Sequence, residues 1–391
     1  MKRDLLARLR AGETLMLDGA TGTMLQAAGL PRGGCPELWN ETEPAKVKAI
    51  PAAYAAAGSD IVLTNTFGGN RLRLKEYDLA DKVVHLCTLG VQLARAAVGE
   101  DVLIAASMGP CGQTIEPYGD LSFEEAKDVY AEAARALAAA GADAIEVETF
   151  LGVMDAQPAI AAVKDNTKLP VVCTIVFERG RSYEGDTPAD AAKRLRDLGA
   201  DVVGANCGNG PADYLPVMEQ MRAAVEGFLV VKPNAGMPRL VGDDIVYDVT
   251  PGEMAQWAER FKAIGVNIIG GCCGTTPEHI QAMAQRVKGS LRWQVVATLH
   301  RATVPTCRRA RGCFAALAND RHFPRNGRFS EEVKHRGDGG DRAARYRGRA
   351  MGGIFPLIGG FAARGRLLHR PSSDAGGVPG TGRRGHGGGT D

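Results

Sequence analysis

Ile264-Gly265-Val266-Asn267-Ile268-Ile269-Gly270-Gly271-Cys272-Cys273-Gly274-Thr275-Thr276 carries a helix stop, a short apolar strand and a glycine-flanked turn with two adjacent thiols. Glycine just past a helix takes the positive φ that ends many helices, and the β-branched pair that follows reads as strand. Thr276 then caps a new helix with Pro277 at its first position. Side chains next to each other on a strand point to opposite faces. Two consecutive cysteines therefore converge only where the backbone bends, and the flanking glycines permit that bend.

The same grammar recurs upstream. Gly58-Ser59-Asp60 precedes Ile61-Val62-Leu63, Gly141-Ala142-Asp143 precedes Ala144-Ile145-Glu146-Val147, and Gly199-Ala200-Asp201 precedes Val202-Val203. Apolar runs without the stop signal lie between: Thr14 to Leu17, Val102 to Ala106, Val171 to Val176 and Phe228 to Val231. That makes eight strands, separated by stretches such as Phe123 to Ala140 with helical spacing. Continuously apolar strands alternating with helices indicate a parallel sheet covered on its faces. Eight such units in residues 1–290 predict a (β/α)8 TIM barrel, with a doubly wound open sheet as the competitor. No G-x-G-x-x-G follows the first strand, which argues against a dinucleotide fold.

Composition divides the chain at the same place. Residues 1–290 hold 28 Lys and Arg against 38 Asp and Glu, a net charge of −10, whereas residues 291–391 hold 19 against 7, a net of +12. The barrel is thus expected to end near residue 290. The remainder reads as an Arg/Gly-rich tail, disordered, an arm for an acidic or RNA partner, or translated in a shifted frame. The sequence contains neither a run of about 20 apolar residues nor an apolar signal core after Met1, so a cytoplasmic protein away from membranes is expected. Nine cysteines in that compartment read as thiols or metal ligands rather than disulfides.

Active sites of barrels lie at the C-terminal ends of the strands. Those ends read Asp18-Gly19-Ala20-Thr21, Thr64-Asn65-Thr66-Phe67, Ser107-Met108-Gly109, Glu146-Val147-Glu148-Thr149, Phe177-Glu178, Asn206-Cys207-Gly208, Lys232-Pro233-Asn234 and Gly270-Gly271-Cys272-Cys273. Cys207, Cys272 and Cys273 all fall there, and a shared zinc with one open position is the reading that uses all three. Cys87 and Cys173 read as buried apolar side chains; Cys35 and Cys111 lie in loops. A redox pair at Cys272 and Cys273, or a non-catalytic barrel whose cysteines stabilise loops, is the rival. Three thiolates make a poor Lewis acid for a carbonyl but hold a fourth thiol deprotonated, which favours alkyl transfer to sulfur.

These segments together resemble the homocysteine S-methyltransferase family, and more narrowly the homocysteine-binding module of cobalamin-dependent methionine synthase. The resemblance covers residues 1 to about 290. It implies zinc (Zn2+) held by Cys207, Cys272 and Cys273, homocysteine sulfur as the fourth ligand, and methionine biosynthesis by methyl transfer to that thiolate. It further implies that Asp18 and Glu148 hold the substrate ammonium, that backbone N–H groups near Gly19 and Ala20 hold its carboxylate, and that Asn234 contributes to the substrate site. A helix-capping charge is the plainer role for Glu148. The donor implied is a methylcorrinoid (methylcobalamin) on a separate protein, with betaine as the alternative. An aromatic residue follows the corresponding glutamate in the betaine branch, whereas here Thr149 does; Trp39, Tyr54, Tyr77 and Tyr118 are the rings left for a cage. No Asp-x-His-x-x-Gly cobalamin motif occurs. Nucleic acid is not an expected partner.

Overall fold

Short β-branched runs separated by Ala-rich amphipathic helices leave each strand no antiparallel neighbour within reach, so the chain must cross back over a helix each time. A computed structural model, which describes residues 3–241 and 244–289, has eight strands arranged accordingly. They are β1 (Leu15–Met16), β2 (Ile61–Leu63), β3 (Leu103–Met108), β4 (Ala144–Phe150), β5 (Val171–Ile175), β6 (Val202–Cys207), β7 (Phe228–Pro233) and β8 (Ile268–Ile269). All pairings are parallel and follow chain order, with β8 returning to β1. A bridge between Leu17 and Ile61 closes β1 onto β2. The (β/α)8 barrel is therefore the observed architecture. The expectation for residues 291–391 lies outside the described residues.

The recurring Gly-x-Asp has a structural consequence beyond stopping a helix. Asp143, just before β4, accepts the Ile104 N–H through Oδ2 at 2.8 Å and returns its own N–H to the Ile104 carbonyl at 2.8 Å. Asp201 does the same with Val171 at 2.9 and 2.8 Å, and Asn267 with Leu229 at 2.9 and 3.0 Å. Asp60 pairs with Met16 at 2.8 and 2.7 Å and so staples the closing seam. Each even strand is thereby locked in register to the odd strand before it. Asp143 also receives Arg95 at 2.6 Å and Arg3 at 2.7 Å. Asp143→Ala is expected to lower stability by about 2–3 kcal/mol, since hydrogen bonds to charged groups are the stronger ones. A reduced urea midpoint at unchanged slope checks this.

Strand alternation produces two cores. Met16, Val62, Ile104, Ile145, Val203, Val231 and Ile269 face the helices. Leu15, Leu17, Ile61, Leu63, Leu103, Ala105, Val172, Val202, Val230 and Ile268 fill the lumen, and Leu5 and Leu9 of the first helix (Leu5–Arg10) join that cluster. Toward the C-terminal end the same inward register turns polar: Ser107, Glu146, Glu148, Thr174, Asn206 and Lys232 are all buried. A short antiparallel hairpin, Arg239–Val241 with Asp244–Val246, follows β7. Its two strands are three residues each, too short to show a periodic pattern in the sequence.

Candidate metal centre

Cys207 ends β6, and Cys272 and Cys273 lie in the turn after β8. Cys207 has φ 69°, a left-handed conformation rare for a residue with a side chain. The turn after β8 is pinned on both sides: the Cys272 N–H donates to the Pro233 carbonyl at 2.9 Å, the Ala235 N–H to the Cys273 carbonyl at 2.9 Å, and the Gly271 N–H to the Asp18 carbonyl at 3.0 Å. Thr275 closes it by donating its hydroxyl to the Cys272 carbonyl at 2.6 Å. The result brings the three sulfurs within 4.8 Å of one another, with Cys272 and Cys273 4.0 Å apart. Tetrahedral zinc with Zn–S near 2.3 Å requires about 3.8 Å between sulfurs. The donor set fits such an ion with little movement.

As bare thiols these groups share protons unequally. Hydrogen bonds from Cys272 first, and then Cys273, hold the Cys207 thiol well below the ordinary range. Donating to Cys207 pushes Cys272 up to about 12 and Cys273 well above its usual value. Asn206 donates toward the Cys272 sulfur at 3.8 Å, and Asn234 donates to the Gly208 carbonyl at 2.5 Å while also reaching Cys207. Asn206 is fixed in turn by a reciprocal pair with Thr149, whose N–H donates to Asn206 Oδ1 at 3.0 Å and whose hydroxyl accepts from Nδ2 at 2.6 Å. Thr149 shares the left-handed conformation, at φ 65°.

The residues expected on the substrate side lie at the same strand ends as the cysteines. Asp18 is buried; its Oδ2 accepts the Leu63 N–H at 2.8 Å, while Oδ1 has no partner among the described residues. Burial pushes its carboxyl well above the usual range. Glycine is required at position 19, where a Cβ would come within 2.7 Å of the Thr275 hydroxyl and 2.8 Å of the Tyr54 hydroxyl. Ala20 already donates its N–H to the Thr275 carbonyl, at 3.3 Å. Glu148 caps no helix: it accepts from the Ser107 hydroxyl and, at 2.6 Å, from the Lys232 ammonium. Glu184 supplies the cap of helix Val153–Asn166 instead, accepting from Met154 and Asp155 at 2.8 and 2.9 Å.

Other expectations resolve one by one. Cys87 and Cys173 are buried in the helix-facing core, and Cys35 and Cys111 are buried with hydrogen bonds to Glu37 and the Gln113 carbonyl. Burial pushes the Cys35 thiol up to about 12. All the described cysteines are free thiols. His279 is absorbed in the cap of helix Pro277–Lys288 and in a 2.9 Å contact with the Val249 carbonyl. Of the cage candidates, Tyr54 is buried with its hydroxyl on the Thr275 carbonyl at 3.0 Å, Trp39 is covered by Lys46 and Tyr118 is exposed.

Two residues at this rim escape sequence reasoning. Tyr247, beyond the hairpin, lies against Gly274, where a Cβ would meet its ring at 2.2 Å, and burial first, with the neighbouring Cys273 and Cys272 sulfurs, raises its hydroxyl pKa. Lys232 spans the lumen from β7 to β4. The approach to glycine was a usable signal only with the fold in hand.

A closed parallel barrel with three thiols gathered at its C-terminal rim is the class of fold and site that the described residues define. A family model described as homocysteine S-methyltransferase matches residues 15–287, and the chain belongs to that family. It is 35% identical over 303 residues to the methionine synthase of Mycobacterium leprae (strain TN), and 36% identical over 289 residues to that of Mycobacterium tuberculosis (strain ATCC 25618 / H37Rv). Those alignments take in 73% and 69% of this chain but 25% and 24% of the relatives, so the chain spans about a quarter of their length. In fold it is similar to the homocysteine methyltransferase MmuM from Escherichia coli, in its oxidized form (TM-score 0.62) and its metallated form (TM-score 0.61). Each is 22% identical and covers 72% of this chain and 99% of the other. Among the described residues no helix is long and apolar enough to cross a membrane.

Proposed function

We propose that this chain is a zinc-dependent homocysteine S-methyltransferase that forms methionine, with Cys207, Cys272 and Cys273 as the zinc ligands. The observation that carries the reading is the approach of those three sulfurs to within 4.8 Å at the barrel rim. Bound there, zinc would keep an incoming thiol deprotonated at neutral pH while leaving the sulfur electron-rich. The protein's own groups orient the amino acid around it. Asp18, with Oδ1 buried and unpartnered, and Glu148 take the substrate ammonium; backbone N–H groups near Gly19 and Ala20, other than that of Ala20 itself, which the Thr275 carbonyl occupies, take its carboxylate. Asn234 and Asn206 hold the cysteine-bearing turns rigid from either side. Tyr247 packs against Gly274, the residue after Cys273.

The donor proposed is a methylcorrinoid presented by another domain or protein, supported by the relatives' being methionine synthases of which this barrel matches a quarter. Purified protein is expected to hold about one zinc per chain and to form methionine from homocysteine with methylcobalamin, not with betaine. Full activity without metal would refute the zinc reading, and turnover with betaine alone would reassign the donor.

A further inference from the structure

The polar layer of the lumen contains a charged group that the reading above does not use. Glu146 and Glu148 stand two residues apart on β4, facing inward, and Lys232 reaches them from β7 across the barrel. The Lys232 ammonium lies 2.5 Å from Glu146 and 2.6 Å from Glu148. Glu146 and Lys232 are 0% and 1% exposed, and among the described residues no other donor reaches Glu146. An ion pair so deep is seldom retained for stability, because removing both charges from water offsets their attraction. Burial alone would push the Lys232 pKa down, and the two carboxylates more than reverse that. Burial pushes Glu146 up to about 7 against the pull of Lys232.

We infer that Glu146 and Lys232 form a positioning pair that sets the charge and orientation of Glu148 toward the substrate ammonium. The inference rests on the assignment of Asp18 and Glu148 as ammonium partners. Lys232 alone would neutralise Glu148 and leave only Asp18 for an incoming cation. Glu146 supplies a second carboxylate for Lys232, so that whenever it is ionised the three side chains together keep one net negative charge. Ser107 and Lys232 between them engage both Glu148 oxygens and fix the carboxylate plane. Neither Glu146 nor Lys232 touches substrate in this scheme; both act through Glu148.

The test is equilibrium binding of homocysteine to zinc-loaded protein, by calorimetry, for wild type, Glu146→Gln, Lys232→Met and the double variant. Glu146→Gln leaves a neutral Lys232–Glu148 pair and is expected to weaken binding about tenfold, equivalent to about 1.4 kcal/mol. Lys232→Met forces two buried carboxylates to share a proton and weakens binding to a similar degree. The double variant, in which substrate ammonium becomes the counter-ion of Glu148, is expected to recover affinity to within about threefold of wild type, or 0.65 kcal/mol. 4-Mercaptobutanoate, which lacks the amino group, is expected to bind all four proteins alike. A double variant no tighter than either single, or singles that bind as wild type does, would overturn the pairing. Wild-type protein that takes up zinc but not homocysteine would instead overturn the functional assignment on which the pairing rests.

Discussion

Cys207→Ala is expected to abolish stoichiometric zinc binding and to lower methionine formation by well over the ~10–100-fold seen when a group merely supporting a metal ligand is lost. Cys207 is the buried member of the trio, and the only one supplied by β6. Without it two adjacent sulfurs remain, 4.0 Å apart, a pair with no third donor among the described residues. The substitution keeps the backbone demand at φ 69° almost unchanged, since alanine and cysteine meet the same Cβ clash there. The fold should therefore survive, and a thermal melt separates lost metal from lost structure. Cys173→Ala is the matched control: it deletes the same atom from β5, on the face turned to the helices. It is expected to cost about 1 kcal/mol of stability and leave zinc content and turnover intact. Equal zinc loss in both variants would mean that the metal is not held where the three sulfurs meet.

The barrel was legible because local chemistry repeats with it. The Gly-x-Asp ends at Asp60, Asp143 and Asp201, with Asn267 as the amide variant, mark every second strand. Their other role was not legible: Asp143 stapling Ile104 joins residues that become neighbours only once two strands lie side by side. The cysteine trio could be read because cysteine at a strand end is chemically specific, and all three lie beyond apolar runs. Lys232 was quoted as part of a motif without a role. Its partners Glu146 and Glu148 sit 86 and 84 positions away, on a strand that is not its neighbour in the sheet. The available clue was a charged residue at an inward position of an otherwise apolar strand, which a barrel interior tolerates only when the charge is paired. The left-handed backbone at Thr149 and Cys207 had no sequence signal, because neither residue type favours it.

Asp18→Asn is expected to separate binding from stability in opposite directions. The substitution is nearly isosteric, and the amide oxygen can still accept the Leu63 N–H that Asp18 now receives at 2.8 Å. What disappears is a carboxylate whose other oxygen is buried with no partner among the described residues. In the proposed site that oxygen meets the homocysteine ammonium, and truncating one side of a buried charge pair typically loses about 2–5 kcal/mol. Homocysteine affinity should fall by about 100-fold or more while zinc content stays at one per chain. Substrate-free protein should respond the other way at neutral pH, because the position no longer carries a group whose charge burial opposes; the amide nitrogen that replaces Oδ1 stays unpartnered, so the gain comes from the lost charge alone. The pH dependence follows from burial raising the folded-state pKa of Asp18 above its unfolded value. The folded protein then holds a proton that the unfolded chain releases, so the contribution of Asp18 is fully present below about pH 4 and is lost as pH rises toward the folded value. The stability advantage of Asp18→Asn should accordingly grow with pH from about 4 upward, measurable as a widening gap in urea midpoints. An Asn variant that binds homocysteine as wild type does, or that is less stable at neutral pH, would remove Asp18 from that role.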